Sequence, residues 1–158
     1  MSAAVTRTLT LVAGLLVLGV VNYAIHGKER VIRNGEVVFL ELAPVDPRSL
    51  MQGDYMALRF QLAADIEAAL SRGALDARTR SVPLDVDERR IATLGAGPGP
   101  RIAFRLRSDG VWLGTNAYFF TEGTAARYTN ARYGEFRLDP QSGEAVLVGL
   151  RGAALEPL

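Results

Sequence analysis

The feature that most constrains this chain is an apolar run near its start, from Val5 to Ile25. At about 1.5 Å per residue, the run predicts a helix of roughly 30 Å, which matches the hydrocarbon core of a bilayer. Arg7 can reach outward from the start of this helix, and Tyr23 suits the membrane–water boundary. We therefore predict a transmembrane helix at about 5–25 within a membrane anchor of residues 1–30, followed by an exported β-rich domain in residues 31–158.

Two other interpretations of the run stay open. A cleaved signal peptide has a shorter apolar region that ends in small residues, whereas Asn22 and Tyr23 precede Ala24 here. A buried helix of a soluble protein rarely runs this long without a charged face. The orientation is less certain than the span, because Arg7 precedes the run whereas Lys28, Arg30 and Arg33 follow it, and a strict count of basic residues would place the domain in the cytoplasm. Long domains are exported largely regardless of such charges, so we expect export.

Composition excludes several classes of chemistry. The chain has no cysteine, which excludes disulfides, thiol catalysis and cysteine-bound zinc or iron–sulfur sites. Its only histidine, His26, follows the apolar run, and this excludes a histidine-based catalytic or metal site. A formal net charge of +1 gives no broad attraction to nucleic acid or to anionic lipid. We expect no metal, no cofactor and no nucleic acid, and we expect membrane lipid and subunits of a membrane protein complex as partners.

The remainder of the chain alternates short strands with turns. A helix is predicted at Ala63 to Ala74, where apolar residues recur at helical spacing and Gly73 can end it. Strands are predicted at 36–42, 55–62, 81–87, 90–94, 101–107, 111–115, 136–139 and 144–150. This spacing is typical of an antiparallel sandwich or small barrel. The fold class is therefore mainly β, with one short helix and one N-terminal transmembrane helix.

Arginines and aromatic residues offer a candidate interaction surface. Residues 101–107 alternate strictly, so Ile102, Phe104 and Leu106 should face inward. The outward arginines are most simply a solvated sheet face, and consecutive aromatics are more often core than ligand site. An alternative is that these side chains contact another protein, an envelope polymer or lipid headgroups. The candidate residues are Arg101, Arg105, Arg107, Trp112, Tyr118, Phe119 and Phe120.

One short segment carries a resemblance to a known family. The stretch GDYMALRF, from Gly53 to Phe60, resembles the signature of the bacterial GDYXXLXY family, with Phe60 in place of the last tyrosine. The candidate structural motif consists of Gly53, Asp54, Tyr55, Leu58 and Phe60. Further resembling blocks lie at 118–123, 131–135 and 147–150. The resemblance implies a small membrane-tethered domain facing the periplasm, and it carries over no catalytic residue.

The motif also has a physical interpretation of its own. Gly53 can take a positive φ angle in a turn before a strand, and Asp54 can accept backbone hydrogen bonds that fix this turn. We favour this folding role over a functional carboxylate at Asp54. Tyr55 and Leu58 should lie on opposite faces of a strand that is buried on both sides.

The enzyme interpretations each lack a necessary group. Ser49, in PRSLMQGDYMAL, loosely resembles the nucleophile of bacterial signal peptidases, but that chemistry needs a lysine base and Lys28 is the only lysine. A calcium site would need several oxygen ligands at regular loop spacing, which is not present. The acidic residues considered for such a site are Asp46, Asp54, Asp85, Asp87 and Glu88. We therefore predict a protein that is not an enzyme and has no catalytic residue.

The combined expectation is an accessory or structural subunit at the bacterial inner membrane. A single span would hold a periplasmic β domain that docks on a larger membrane protein complex. One alternative is a periplasmic module that binds a small ligand or an envelope polymer. A further alternative is a signal-peptidase-like protein without a complete catalytic dyad.

Overall fold

The structure is a computed structural model, and it describes residues 3–43, 51–52 and 55–158. Within these residues, the strands of every named sheet pair antiparallel. The predicted fold class, a β domain with a short helix and one long N-terminal helix, is confirmed. The elements follow in the order α1 (Ala3–Asn34), β1 (Glu36–Glu41), β2 (Met51–Gln52), β3 (Tyr55–Ala57), α2 (Gln61–Ser71), β4 (Ser81–Val86), β5 (Ala92–Leu94), β6 (Arg101–Ala103), β7 (Arg105–Arg107), β8 (Gly110–Trp112), β9 (Ala117–Phe119), a 3-10 helix (Ala125–Tyr128), β10 (Tyr133–Leu138) and β11 (Ala145–Arg151).

Helix α1 is longer than the apolar run that predicts it. It covers 32 residues and continues without a break past Ile25 to Asn34. Among the described residues, it is the one helix long and apolar enough to cross a membrane, and its apolar window contains no buried residue. Leucine and valine side chains such as Leu15 and Val20 stand fully outside the packed domain. The helix therefore has the length, composition and exposure that a membrane anchor requires.

The central sheet places β10 between β1 and β11. Val38 of β1 lies opposite Phe136 of β10, and Leu40 lies opposite Gly134. The side chains of Val38, Leu40 and Phe136 are buried. The register between β10 and β11 shifts at a bulge between Glu135 and Phe136. The predicted pairing of these last two strands is confirmed, and β11 buries Ala145 and Leu150 near its two ends.

Three smaller sheets complete the domain. β3 lies between β2 and β9, β4 lies between β5 and β6, and β7 pairs with β8. The predicted hairpin around Glu88 and Arg89 is confirmed, with Val86 opposite Ala92. Asp87 fixes its turn, since Oδ1 accepts a hydrogen bond from the N–H of Ile91 at 2.8 Å.

Helix α2 covers one side of this core. Leu62, Ile66 and Ala69 are its buried residues, at the spacing that places them on one face. The helix ends at Ser71, and Gly73 follows with a φ of 71°. Glu67 connects α2 to β8, because its Oε1 accepts a hydrogen bond from the N–H of Val111 at 2.8 Å.

Two details of the sequence prediction are wrong. The strand predicted at 55–62 ends at Ala57, because the carbonyl of Phe60 already accepts bonds from Ala63 and Ala64 in the first turn of α2. The alternation predicted through 101–107 also fails, since Leu106 is 52% exposed. The chain passes at Phe104 from β6, which pairs with β4, to β7, which pairs with β8. The change of sheet resets which side chains face the core.

Candidate functional site

The junction between α1 and the β domain contains no flexible linker. The N–H of Gly35 donates to the carbonyl of Val31 at 2.8 Å, and β1 begins at the next residue. Val31 is only 3% exposed. A Cβ on Gly35 would lie 2.5 Å from the Val31 carbonyl oxygen and 3.1 Å from the Leu138 nitrogen. The last turn of α1 is thus packed directly on the central sheet, and the domain cannot swing freely about it.

The β10–β11 turn, residues 139–144, braces this junction from the other side. Glu144 forms an ion pair with Lys28 of α1. The carbonyl of Gly143 accepts a hydrogen bond from the N–H of Ala103 in β6 at 2.7 Å. Gly143 has a φ of 73°, which glycine adopts without steric cost. One turn therefore links the anchor helix to β6.

Asp139 holds the β10–β11 turn in shape. Its Oδ1 accepts the N–H of Gln141 at 3.0 Å, and its Oδ2 accepts the hydroxyl of Ser142 at 2.8 Å. These bonds lower the pKa of the Asp139 carboxyl below its usual value, the bond from the Gln141 backbone most of all. Arg30 of α1 lowers this pKa slightly further.

The GDYMALRF segment forms the passage from β3 to α2. Gly53 and Asp54 lie outside the described residues, so the turn predicted for them stays a prediction. Leu58 is buried, and its N–H donates to the carbonyl of Asn116 at 2.7 Å. Tyr55 lies opposite Phe119 in the adjacent strand, with ring centroids 5.8 Å apart. The segment thus ties the first half of the domain to β9.

Phe60 of this segment packs over a glycine in the central sheet. Its ring meets the ring of Phe136 edge-on, with centroids 5.2 Å apart. A Cβ on Gly134 would lie 2.8 Å from Phe60 Cε1 and 3.0 Å from Phe136 Cε2. The ring occupies the space that any larger residue at position 134 would need, so Phe60 and Gly134 form one packing unit.

Comparison with known proteins assigns the chain to a family. A family model described as "GDYXXLXY protein" matches residues 17–150, from within α1 to the end of the central sheet. The chain belongs to the GDYXXLXY family. No curated protein and no solved structure matches the chain. The family motif in this chain therefore acts at least as a packing device, through Leu58 and Phe60.

The predicted aromatic residues separate into two groups. Tyr118 and Phe120 pack against Tyr128, with ring centroids 5.2 and 5.3 Å away. Burial, together with a hydrogen bond to Tyr128, raises the pKa of Tyr118. Phe119 is 75% exposed. Among the described residues, its one aromatic ring contact is with Tyr55 of the motif. We call Tyr55 and Phe119 the aromatic patch.

The predicted arginines also separate. Arg101 is turned toward β4, where its Nε donates to the Ser81 hydroxyl at 3.1 Å. Arg105 and Arg107 instead line a cleft of about 680 Å³, together with Trp112. The guanidinium of Arg107 lies over the Trp112 ring at 3.9 Å from its centroid. We call this the basic cleft, and its charged and aromatic lining consists of Lys28, Arg80, Phe104, Arg105, Arg107, Trp112 and Glu144.

Sequence reasoning missed a buried ion pair in the central sheet. Glu135 is 7% exposed, and it receives the Nε of Arg151 at 2.7 Å on the neighbouring strand. Arg137 approaches its other oxygen at 3.9 Å. Glu135 and Arg137 occur two residues apart in a strand, which would have placed both on the same face, but nothing in the sequence identifies Arg151 as their partner.

The other candidate groups are the acidic residues and the serine considered for a metal or catalytic site. Ser49, Asp46 and Asp54 lie outside the described residues. Asp85, Asp87 and Glu88 surround the exposed β4–β5 turn. Within 3–43, 51–52 and 55–158, no group of three or more histidine, cysteine or acidic side chains could hold a metal ion.

Proposed function

We propose that the chain is a single-span protein of the bacterial inner membrane, whose β domain is held on the membrane surface as an accessory subunit of a larger membrane protein complex. The role is structural, and no reaction is assigned to the chain. The observation that carries this proposal is the unbroken passage from α1 into the central sheet at Gly35.

A rigid junction suits a docking subunit better than a mobile receptor domain. Val31 and Gly35 are buried at the base of α1, and Lys28 is paired with Glu144. Because α1 and the domain move together, a partner that binds the helix within the membrane also fixes the domain above it. The exposed apolar surface of α1 offers such a lateral contact.

The aromatic patch is the surface that we assign to a protein partner outside the membrane. Phe119 exposes most of its ring beside Tyr55 of the family motif. Burying a phenylalanine side chain contributes about 1.5–3 kcal/mol, and aromatic residues are enriched where interfaces are strongest. The position of the patch also gives the motif a role in presenting Phe119, because β9 is held by β3.

Photo-crosslinking tests the docking proposal directly. A photoreactive amino acid is placed at position 119 of the full chain in its native membrane, and at Thr93 on the exposed side of β5 as the control. We expect a discrete adduct with another membrane protein from position 119 and none from position 93. Recovery of the chain alone from both positions would contradict the proposal.

The absence of cysteine from the sequence makes the orientation measurable. A Phe119→Cys variant carries one thiol, which a membrane-impermeant maleimide should label in intact spheroplasts. Labelling only after the membrane is broken would place the domain in the cytoplasm and would contradict the periplasmic orientation that we propose.

A further inference from the structure

We propose that the basic cleft binds the headgroup of an anionic phospholipid from the bilayer that holds α1. The inference rests on the proposed function in one respect, since it requires that α1 spans the membrane. It adds a ligand site that the docking role does not need.

The position of Lys28 sets the depth of the cleft. Lys28 follows Ile25, the last residue of the apolar run, by three positions on the same helix, which is about 4.5 Å along its axis. The polar layer of a bilayer is about 5–7 Å thick on each side of the hydrocarbon core. Because Lys28 lines the cleft, the cleft lies at the level of the headgroups when α1 spans the core.

The charge of the lining matches an anionic headgroup. Lys28, Arg80, Arg105 and Arg107 are cationic, and Glu144 is the one carboxylate in the lining. Glu144 is already paired with Lys28, so the arginines are the cations opposite any ligand. The whole chain has a net charge of only +1, which makes this concentration of positive charge local.

The side-chain types suit a phosphodiester in a polar boundary layer. Guanidinium groups can donate two parallel hydrogen bonds to phosphate oxygens. Arg107 is ordered by stacking on Trp112, and Arg80 by hydrogen bonds from Nη1 to the carbonyls of Ala77 and Thr79 at 3.0 Å. Tryptophan is enriched at this depth because one edge is apolar and its N–H is polar. The cleft, at about 680 Å³, has room for a headgroup.

Lipid retention measures the preference. The full chain is purified in a mild detergent, supplied with an equimolar mixture of phosphatidylglycerol and phosphatidylcholine, and analysed by native mass spectrometry. We expect bound phosphatidylglycerol to exceed bound phosphatidylcholine. The double variant Arg105→Gln/Arg107→Gln should lower this ratio by roughly thirtyfold, which is about fivefold for each arginine. The control Arg72→Gln/Arg89→Gln removes the same charge at exposed residues outside the cleft and should leave the ratio unchanged.

The outcomes separate this proposal from its competitors. Equal retention of the two lipids by the wild-type chain, or equal losses in the two double variants, would overturn the headgroup site. Complete displacement of phosphatidylglycerol by inorganic phosphate would also overturn it, in favour of a site for free anions. Each of these results leaves the membrane anchor intact. Failure of the anchor itself would instead show as a chain that stays soluble when membranes are sedimented.

Discussion

At the scale of single residues, the contact of Phe60 with Gly134 ties the family motif to the central sheet. A Gly134→Ala substitution would place Cβ 2.8 Å from Phe60 Cε1 and 3.0 Å from Leu147 Cδ1. Overpacking of a filled core costs about 1–3 kcal/mol, so we expect the free energy of unfolding to fall by that amount. Urea denaturation of the full chain in detergent measures it.

Gly149 supplies the control for this substitution. It lies opposite Glu135 in the same pair of strands, and a Cβ there would meet nothing within 4 Å. Gly149→Ala should leave the unfolding midpoint unchanged within error. If both alanine variants unfold at the same urea concentration, the packing account of the motif is wrong.

The ion pair of Glu135 makes a second residue-scale prediction. Glu135→Gln removes the buried negative charge that contacts both Arg151 and Arg137. Removing one partner of a fully buried pair costs about 3 kcal/mol or more, but the side chains of Arg151 and Arg137 are 25% and 32% exposed, so we expect a smaller cost of about 1–2 kcal/mol. The matched change Glu36→Gln, at an exposed end of β1, should cost almost nothing. If Glu135→Gln and Glu36→Gln lower the unfolding temperature equally, the ion pair of Glu135 does not stabilise the fold.

Alternation in the sequence predicted which residues are buried only up to the point where the chain passes from one sheet to another. Ile102 and Phe104 are buried as expected. Leu106 is exposed because the pairing of β7 with β8 is a long-range choice that alternation cannot reveal. The same holds for Arg151 and Glu135, whose meeting depends on the register of β10 and β11.

At the scale of elements, the β10–β11 turn decides how α1 meets the domain. The pKa of Asp139 is lowered in the folded chain, so its ionised form stabilises the turn above the usual aspartate pKa of about 4. This contribution is lost as the pH falls through the lower folded-state pKa. The exposed setting of the carboxyl keeps the effect small.

The pH dependence can be measured against Asp139→Asn. We expect the wild-type chain to be the more stable at neutral pH, with the difference shrinking below about pH 4. Ser142→Ala removes the hydrogen bond from the serine hydroxyl to the carboxylate. Its stability should lie between those of the wild-type chain and Asp139→Asn. If the stability difference between the wild-type chain and Asp139→Asn does not change with pH, the charge of Asp139 does not contribute to the stability of the turn.

Local patterns predicted most elements, and the exceptions have a common cause. α1, α2 and the two hairpins follow from apolar periodicity and turn residues. The strand after Tyr55 ends early because Phe60 must enter the core beside Phe136 and begin α2. Distant packing overrides the β propensity of this segment, which no local pattern could show.

At the scale of the whole molecule, α1 packs on the central sheet, and under our proposal this packing places the basic cleft beside the membrane. The sequence predicted Arg105, Arg107 and Trp112 as part of one surface with Arg101 and the aromatic run. The fold keeps the first three together and brings Lys28 and Arg80 to them from distant positions. Charge clusters of this kind depend on tertiary structure, so a near-neutral net charge could not reveal this one.

The depth of Trp112, the only tryptophan of the chain, tests this account most directly. The full chain is reconstituted in vesicles that carry a spin label either at the lipid headgroup or in the middle of the acyl chain, and quenching of Trp112 fluorescence is recorded. We predict strong quenching by the headgroup label and weak quenching by the mid-chain label. A flexible Gly-Ser-Gly-Ser insertion between Asn34 and Gly35 should reduce the headgroup quenching. Fluorescence that neither label quenches in the wild-type chain would show that the domain stands away from the membrane, and it would contradict the account.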